Sequence, residues 1–195
     1  MISNKLQRAF AAFDAYNSQD QHVESVGGKD YPKELLYALR MTQRLSTYYP
    51  EADEHIQLAA RCQHIGRWEI PRNSFPMDRK GYLQWRSNLA LHHANIASKI
   101  LLESGYDRET IEKVKFLLQK KQLHQHHPET QILEDVICLV FIEHYLDDFA
   151  EQHEDEKVVD ILQKTIKKMS PRALQEATKI KTKPKVLKLV QQALA

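Results

Sequence analysis

The sequence predicts an all-α fold, a single-domain helical bundle, and three observations lead there. Five glycines and seven prolines in 195 residues leave long stretches unpunctuated, which favours long helices over many short strands. Apolar residues recur at three- and four-residue spacing in segment after segment. Residues 132–146 are nearly apolar on all sides, as expected of the buried centre of a bundle.

The elements follow in order. Ser3 is placed to cap a first helix carrying Leu6, Ala9, Phe10, Phe13 and Tyr16 on one face. Residues 18–31 are polar and Gly27-Gly28 breaks any helix there; Val23 and Val26 suit a short extended segment but no sheet. Pro32 suits a first helical turn, opening a second helix with Leu35, Leu36, Leu39, Met41 and Leu45 that Pro50 closes. A third helix covers residues 54–65, with Gly66 placed to end it. Residues 67–80 hold two prolines and read as an irregular connection, and a connection that long inside a domain is usually functional. A long helix over 81–103 follows, with Tyr82, Trp85, Leu89, His93, Ile96 and Ile100 at helical spacing. Gly105 stops it, and Asp107 caps a fifth helix bearing Ile111, Val114, Leu117 and Leu118. Leu123-His124-Gln125-His126-His127-Pro128 is a break, read as a surface loop, before a sixth helix over 129–149.

Beyond residue 150 the charge pattern reverses. Seven acidic residues between Glu143 and Glu156 give way to nine Lys/Arg against one Glu between Lys164 and Lys188, so residues 154–195 read as a basic helical appendage to a core over about 32–150. Its simplest reading is a solvated surface; a phosphate- or RNA-facing patch is the minor one.

A hydrophobic content of 42% beside 28% charged residues describes a globular rather than disordered chain. A net charge of +2 gives no reason to expect nucleic acid as a partner. No stretch approaches the ~18 apolar residues of a membrane span, and the N-terminus lacks a signal-peptide apolar run. Cys62 and Cys138 lie in apolar helical patterns without metal-binding spacing, so a reduced, cytoplasmic protein with core thiols is expected.

Several chemistries are absent as motifs. There is no HExxH, no Glu-x-x-His pair, no GxGxxG, no P-loop and no GxSxG. What remains is a set of helical polar residues. Glu34 falls in the first turn of the second helix, His64 at the end of the third, His93 on the apolar stripe of the long helix, and Asp135 inside the apolar sixth helix. A buried carboxylate is costly unless paired or bound to a cation. Carboxylate and imidazole donors together suit a divalent transition metal, Zn, Mn, Fe or Ni. Each residue also has a plainer reading: His64 as a capping or core histidine, Asp135 as the partner of an arginine or a helix N-terminus. A second cluster, Arg67, Arg72, Arg79, Lys80 and Arg86, is interleaved with Trp68, Phe75, Tyr82 and Trp85. Guanidinium forks match phosphate and carboxylate geometry, so this region is expected to hold an anionic small molecule. The plainer reading has Trp68 and Trp85 pinning the connection to the core while the arginines form salt bridges. His144, nine residues beyond Asp135, falls on the opposite helix face and outside such a site.

Leu58-Ala59-Ala60-Arg61-Cys62-Gln63-His64-Ile65-Gly66 resembles the signature stretch of the HD superfamily of metal-dependent phosphohydrolases. Gln63-His64 stands where that family carries His-Asp. Glu34 matches the position of the family's first histidine, and Asp135, in Leu-Glu-Asp-Val, that of its last aspartate. The whole chain more closely resembles an uncharacterised family, domain of unknown function 4202. That resemblance rests on Pro-Lys-Glu-Leu-Leu-Tyr-Ala (32–38), Gln-His-Ile-x-Arg-Trp-x-Ile-Pro-Arg (63–72), Gly-Tyr-Leu-x-Trp-Arg (81–86) and Leu-Glu-Asp-Val (133–136). The HD resemblance implies a metal at Glu34, His64 and Asp135 and His93 as a ligand or general acid. Arg67, Trp68, Arg72, Arg79 and Arg86 would face a phosphorylated small molecule or nucleotide. The alternative is a non-enzymatic binding protein in which the same residues hold an anion without a metal.

Overall fold

The computed structural model describes residues 4–125 and 127–194, so the Ser3 cap and His126 lie outside the described residues. Among the described residues the chain is all-α apart from one small hairpin, and it forms two compact units, Met1–Thr130 and Gln131–Ala195. The division between them falls inside a helix, after Thr130.

In the first unit, α1 (Asn4–Asn17) buries Leu6, Ala9, Phe13 and Asn17. The polar stretch after it makes the hairpin that the sequence reading excluded. β1 (Val23–Val26) pairs antiparallel with β2 (Lys29–Pro32), with Val26 opposite Lys29. Gly27 and Gly28, at φ 59° and 77°, supply the two left-handed residues of the tightest hairpin turn, so the pair that breaks a helix also builds a hairpin. Arg40 Nη1 reaches Glu24 Oε1 at 2.5 Å and ties β1 to α2 (Lys33–Tyr48).

The third helix is shorter than its apolar run suggests. α3 is Glu54–Arg61, and residues 62–66 turn, with Ile65 N–H donating to Cys62 O at 3.1 Å. Arg61 is 8% exposed and clamps α3 to α1, its Nε and Nη2 on the two oxygens of Asp14 and its Nη1 on Thr42 Oγ1. The pair is bidentate and partly buried, so removing Asp14 alone would leave the buried Arg61 without its carboxylate. The connection expected to be irregular contains two single 3-10 turns, Arg67–Glu69 and Arg72–Ser74. Trp85 Nε1 donates to Ile70 O at 2.8 Å, pinning it to α4 (Arg79–Glu103). Asp78 caps α4 by accepting from Gly81 N at 2.7 Å, two residues ahead of the expected start. α5 (Arg108–Leu118) packs Ile111, Val114, Leu117 and Leu118 inward, against α3 and α4.

The sixth helix is interrupted. α6 (Pro128–His144) stops at Tyr145, whose backbone leaves the helical region, and α7 (Leu146–Gln152) follows. Within the second unit Leu146 and Ala150 of α7 join Val158 and Leu162 of α8 (Asp155–Ile166) and Val186 and Leu189 of α10 (Pro184–Leu194) in one core. α9 (Pro171–Ala177) is capped by Ser170. The basic stretch meets acidic residues of its own unit. Lys183 pairs with Glu151, Lys183 N donates to Asp147 Oδ1 at 3.1 Å, and Lys185 lies 2.8 Å from Asp155. Cys62 and Cys138 are both buried and unbridged, as their apolar surroundings imply. Among the described residues no helix is long and apolar enough to cross a membrane.

Candidate functional site

The first turn of α2 presents Glu34 to the turn that follows α3. Pro32 gives α2 no side-chain cap of its own. Asp20, 4% exposed, fills that role from outside the helix, accepting from Glu34 N at 3.2 Å and from His22 N at 3.0 Å. Glu34 is therefore held with its side chain 9% exposed, 3.3 Å from His64 Nδ1 and 3.7 Å from Arg67 Nε. Gly66, at φ 67°, makes the bend between those two partners. A Cβ there would lie 2.5 Å from Ile96 Cδ1 and 3.1 Å from His92 Nε2, so α4 closes against the bare backbone. Asn17 Oδ1 accepts from Gly66 N at 3.3 Å and ties the same bend to α1.

The aromatic and basic surroundings come from several elements. The His64 ring stacks on Tyr37 at 4.0 Å with an 11° tilt, one helical turn along from Glu34. His93 lies 5.9 Å from His64, ring to ring, and its Nδ1 sits 2.6 Å from Ile65 O. That contact requires the proton on Nδ1, which leaves Nε2 to accept a hydrogen bond or bind a cation. Arg67 lies over Trp85, 4.8 Å from the ring centre. Lys120 approaches from the end of α5 in the left-handed conformation, at φ 51°.

Burial and charge set the protonation of these groups. Glu34 is pushed up from 4.5 to about 7 by desolvation; Arg67 opposes the rise and Asp20 adds to it. His64 is held well below the usual imidazole range by burial and then by Arg67, Arg86, Lys120 and Lys33. His93 is lowered to about 3 by burial and by His64. Two neutral imidazoles and a carboxyl that exchanges its proton near neutrality thus sit among cations.

Glu34, His64, His93 and Arg67 come together, and Arg86 adds its charge. Asp135 belongs to the second unit, where its carboxylate is 2% exposed as a residue and accepts from Ser170 N at 2.9 Å, Ser170 Oγ at 2.5 Å and Gln131 Nε2 at 2.9 Å. Ser170 opens α9, so Asp135 is a partner of that helix N-terminus. Arg72 spends its guanidinium on Phe75 O and Asp78 O inside the connection, and Arg79 lines an open groove on α4 with Leu83 and Gln84. Trp68 packs on Tyr16 at 5.8 Å. Gln63 is 5% exposed and is absent from the Glu34 contacts described above. Sequence reasoning missed Tyr37, Lys33 and Lys120. Tyr37 was recoverable from its three-residue spacing to Glu34, whereas nothing local signals the bend that brings in Lys120.

No curated protein and no solved structure matches the chain. A family described as a domain of unknown function (DUF4202) matches residues 7–190, which include every residue of the group around Glu34. The chain belongs to the DUF4202 family.

Proposed function

We propose that the group formed by Glu34, His64 and Arg67 binds an anionic ligand, a phosphorylated small molecule or nucleotide. The observation that carries this reading is the cationic surplus on one neutral imidazole: Lys33, Arg67, Arg86 and Lys120 all bear on His64. Glu34 weakens the opposing negative charge because its carboxyl holds a proton up to about pH 7. An anion entering such a site gains charge-assisted hydrogen bonds, and Tyr37 and Trp85 supply flat apolar surface beside it. The test is a thermal-shift and calorimetric screen with inorganic phosphate, pyrophosphate and nucleoside mono- and diphosphates. At least one probe is expected to raise Tm in the wild type, with the shift lost in Arg67→Gln. A flat response to all of them, or a shift indifferent to Arg67, overturns the proposal.

Hydrolysis of the bound anion is the second reading, favoured by the contact between Glu34 and His64. An oxygen and a nitrogen 3.3 Å apart are two donors for a transition metal, and the HD-like order of the sequence motifs points the same way. His93 would then serve through Nε2 as a ligand, since an imidazole lowered to about 3 is neutral at pH 7 and keeps that lone pair free of a proton. Elemental analysis of untagged wild type beside His64→Ala tests it. Metal lost with His64 supports the hydrolase; metal content unchanged by the substitution refutes it.

A further inference from the structure

A second group of polar side chains lies at the other end of α3. Asp53 occupies the N-cap position, yet its side chain makes no capping hydrogen bond. An aspartate there ordinarily accepts from the backbone of the first turn. Its carboxylate instead joins the His55 imidazole and the Glu129 carboxylate, with one ligand atom from each all within 4.8 Å of one another. All three belong to the first unit. His55 is 8% exposed, and its Nε2 lies 3.0 Å from Glu129 Oε2. The two are not aligned as a hydrogen bond, and that nitrogen has no hydrogen-bond partner among the described residues. A buried ring nitrogen facing a carboxylate without a shared proton is unfavourable, and a cation between them satisfies both.

The neighbours are committed elsewhere. Glu54 accepts from Tyr106 Oη at 2.6 Å. Lys113, whose charge feels Glu129, pairs with Glu109 at 2.8 Å. Both cysteines are buried as free thiols and outside the group.

We propose that Asp53, His55 and Glu129 form a binding site for a divalent first-row transition cation, with Zn2+ the first to test. One imidazole and two carboxylates are the nitrogen and oxygen donors that such ions accept, whereas Mg2+ and Ca2+ favour all-oxygen shells. Three protein ligands leave a fourth position open to water or an anion. The site is separate from the Glu34 group and does not depend on what that group binds.

The experiment is a Zn2+ titration of metal-stripped, untagged full-length protein against a chromogenic chelator. It compares wild type, His55→Ala, Glu129→Gln, Asp53→Asn and His64→Ala. A saturable site is expected that is lost in His55→Ala, weakened in Glu129→Gln and Asp53→Asn, retained in His64→Ala, and not displaced by excess Mg2+. If His55→Ala does not fold, the two carboxylate variants decide, because Asp53 is exposed and Glu129 half-buried. No saturable site, or weak binding equal in all variants (an adventitious ion only), overturns the proposal. Binding lost in His64→Ala but kept in Glu129→Gln also overturns it and assigns the metal to the Glu34 group.

Discussion

Replacing Glu34 by glutamine isolates the electrostatics of the group around it. A carboxyl whose pKa is raised on folding holds its proton more tightly in the folded state. Its contribution is fully present below the unfolded value of 4.5 and is lost as the pH rises through about 7. At about 1.4 kcal/mol per pH unit, the loss amounts to about 3 kcal/mol at about pH 8, where burial of the charged form opposes folding. Glutamine keeps the volume and an oxygen for Arg67 but carries no charge. Glu34→Gln is therefore expected to stabilise the protein by about 1–3 kcal/mol at about pH 8, the lower figure if the Arg67 contact weakens, and by almost nothing below about pH 5. The histidines act with the opposite sign. His93, lowered from 6.5 to about 3, contributes stability above 6.5 that is lost as the pH falls through about 3, and His64 is lowered for the same reason. Glu34 offsets part of that acid loss, so the variant should lose stability more steeply than wild type on acidification from about pH 7 to about pH 5. Urea unfolding at a series of pH values measures both curves. Parallel curves, or a variant less stable at about pH 8, would refute the claim that Glu34 is a desolvated carboxyl rather than an ordinary ion-pair partner.

Three further outcomes follow from the same geometry. Gly66→Ala combines a left-handed backbone with a Cβ 2.5 Å from Ile96 Cδ1, and denaturant unfolding should show a loss. Its size is expected at about 2–4 kcal/mol from strain and overpacking together. Asp135→Ala and Ser170→Ala should each destabilise the second unit, and a double-mutant cycle should give a coupling of about 1–3 kcal/mol; additive single effects would disprove the link. Lys120→Gly relieves the φ of 51° and removes a cation, so Tm should rise or hold while anion affinity falls. Lys120→Ala should lower affinity without the gain in Tm, and equal affinity in both variants and wild type would place Lys120 outside the site.

Much of the fold is local and was legible. The apolar stripe of α1 and the cap at Asp107 depend on neighbours within a few residues. So do the buried α6 segment and the two core thiols, and periodicity reads such features directly. The hairpin was missed because Gly-Gly serves two purposes, and its role as a turn shows only when Val23–Val26 finds Lys29–Pro32 beside it. The break at Tyr145 was missed because residues on both sides are apolar; where α7 points is decided by the core of α8 and α10.

The site divides along the same line. Sequence alone singled out the residues that the fold gathers around Glu34: Glu34 at a helix start, His64 and Arg67 flanking Gly66, and His93 on a core stripe. It also supplied the alternatives for Asp135 without choosing between them. In the folded chain Asp135 accepts from Ser170 and Gln131, because a buried carboxylate goes to donors that the packing brings within hydrogen-bond reach. Tertiary packing likewise assembled Asp53, His55 and Glu129, whose last member lies more than seventy residues from the others in the chain. Local periodicity reports which face of a helix is buried, but the partner on that face is set by how distant segments pack, and only the folded chain holds that information.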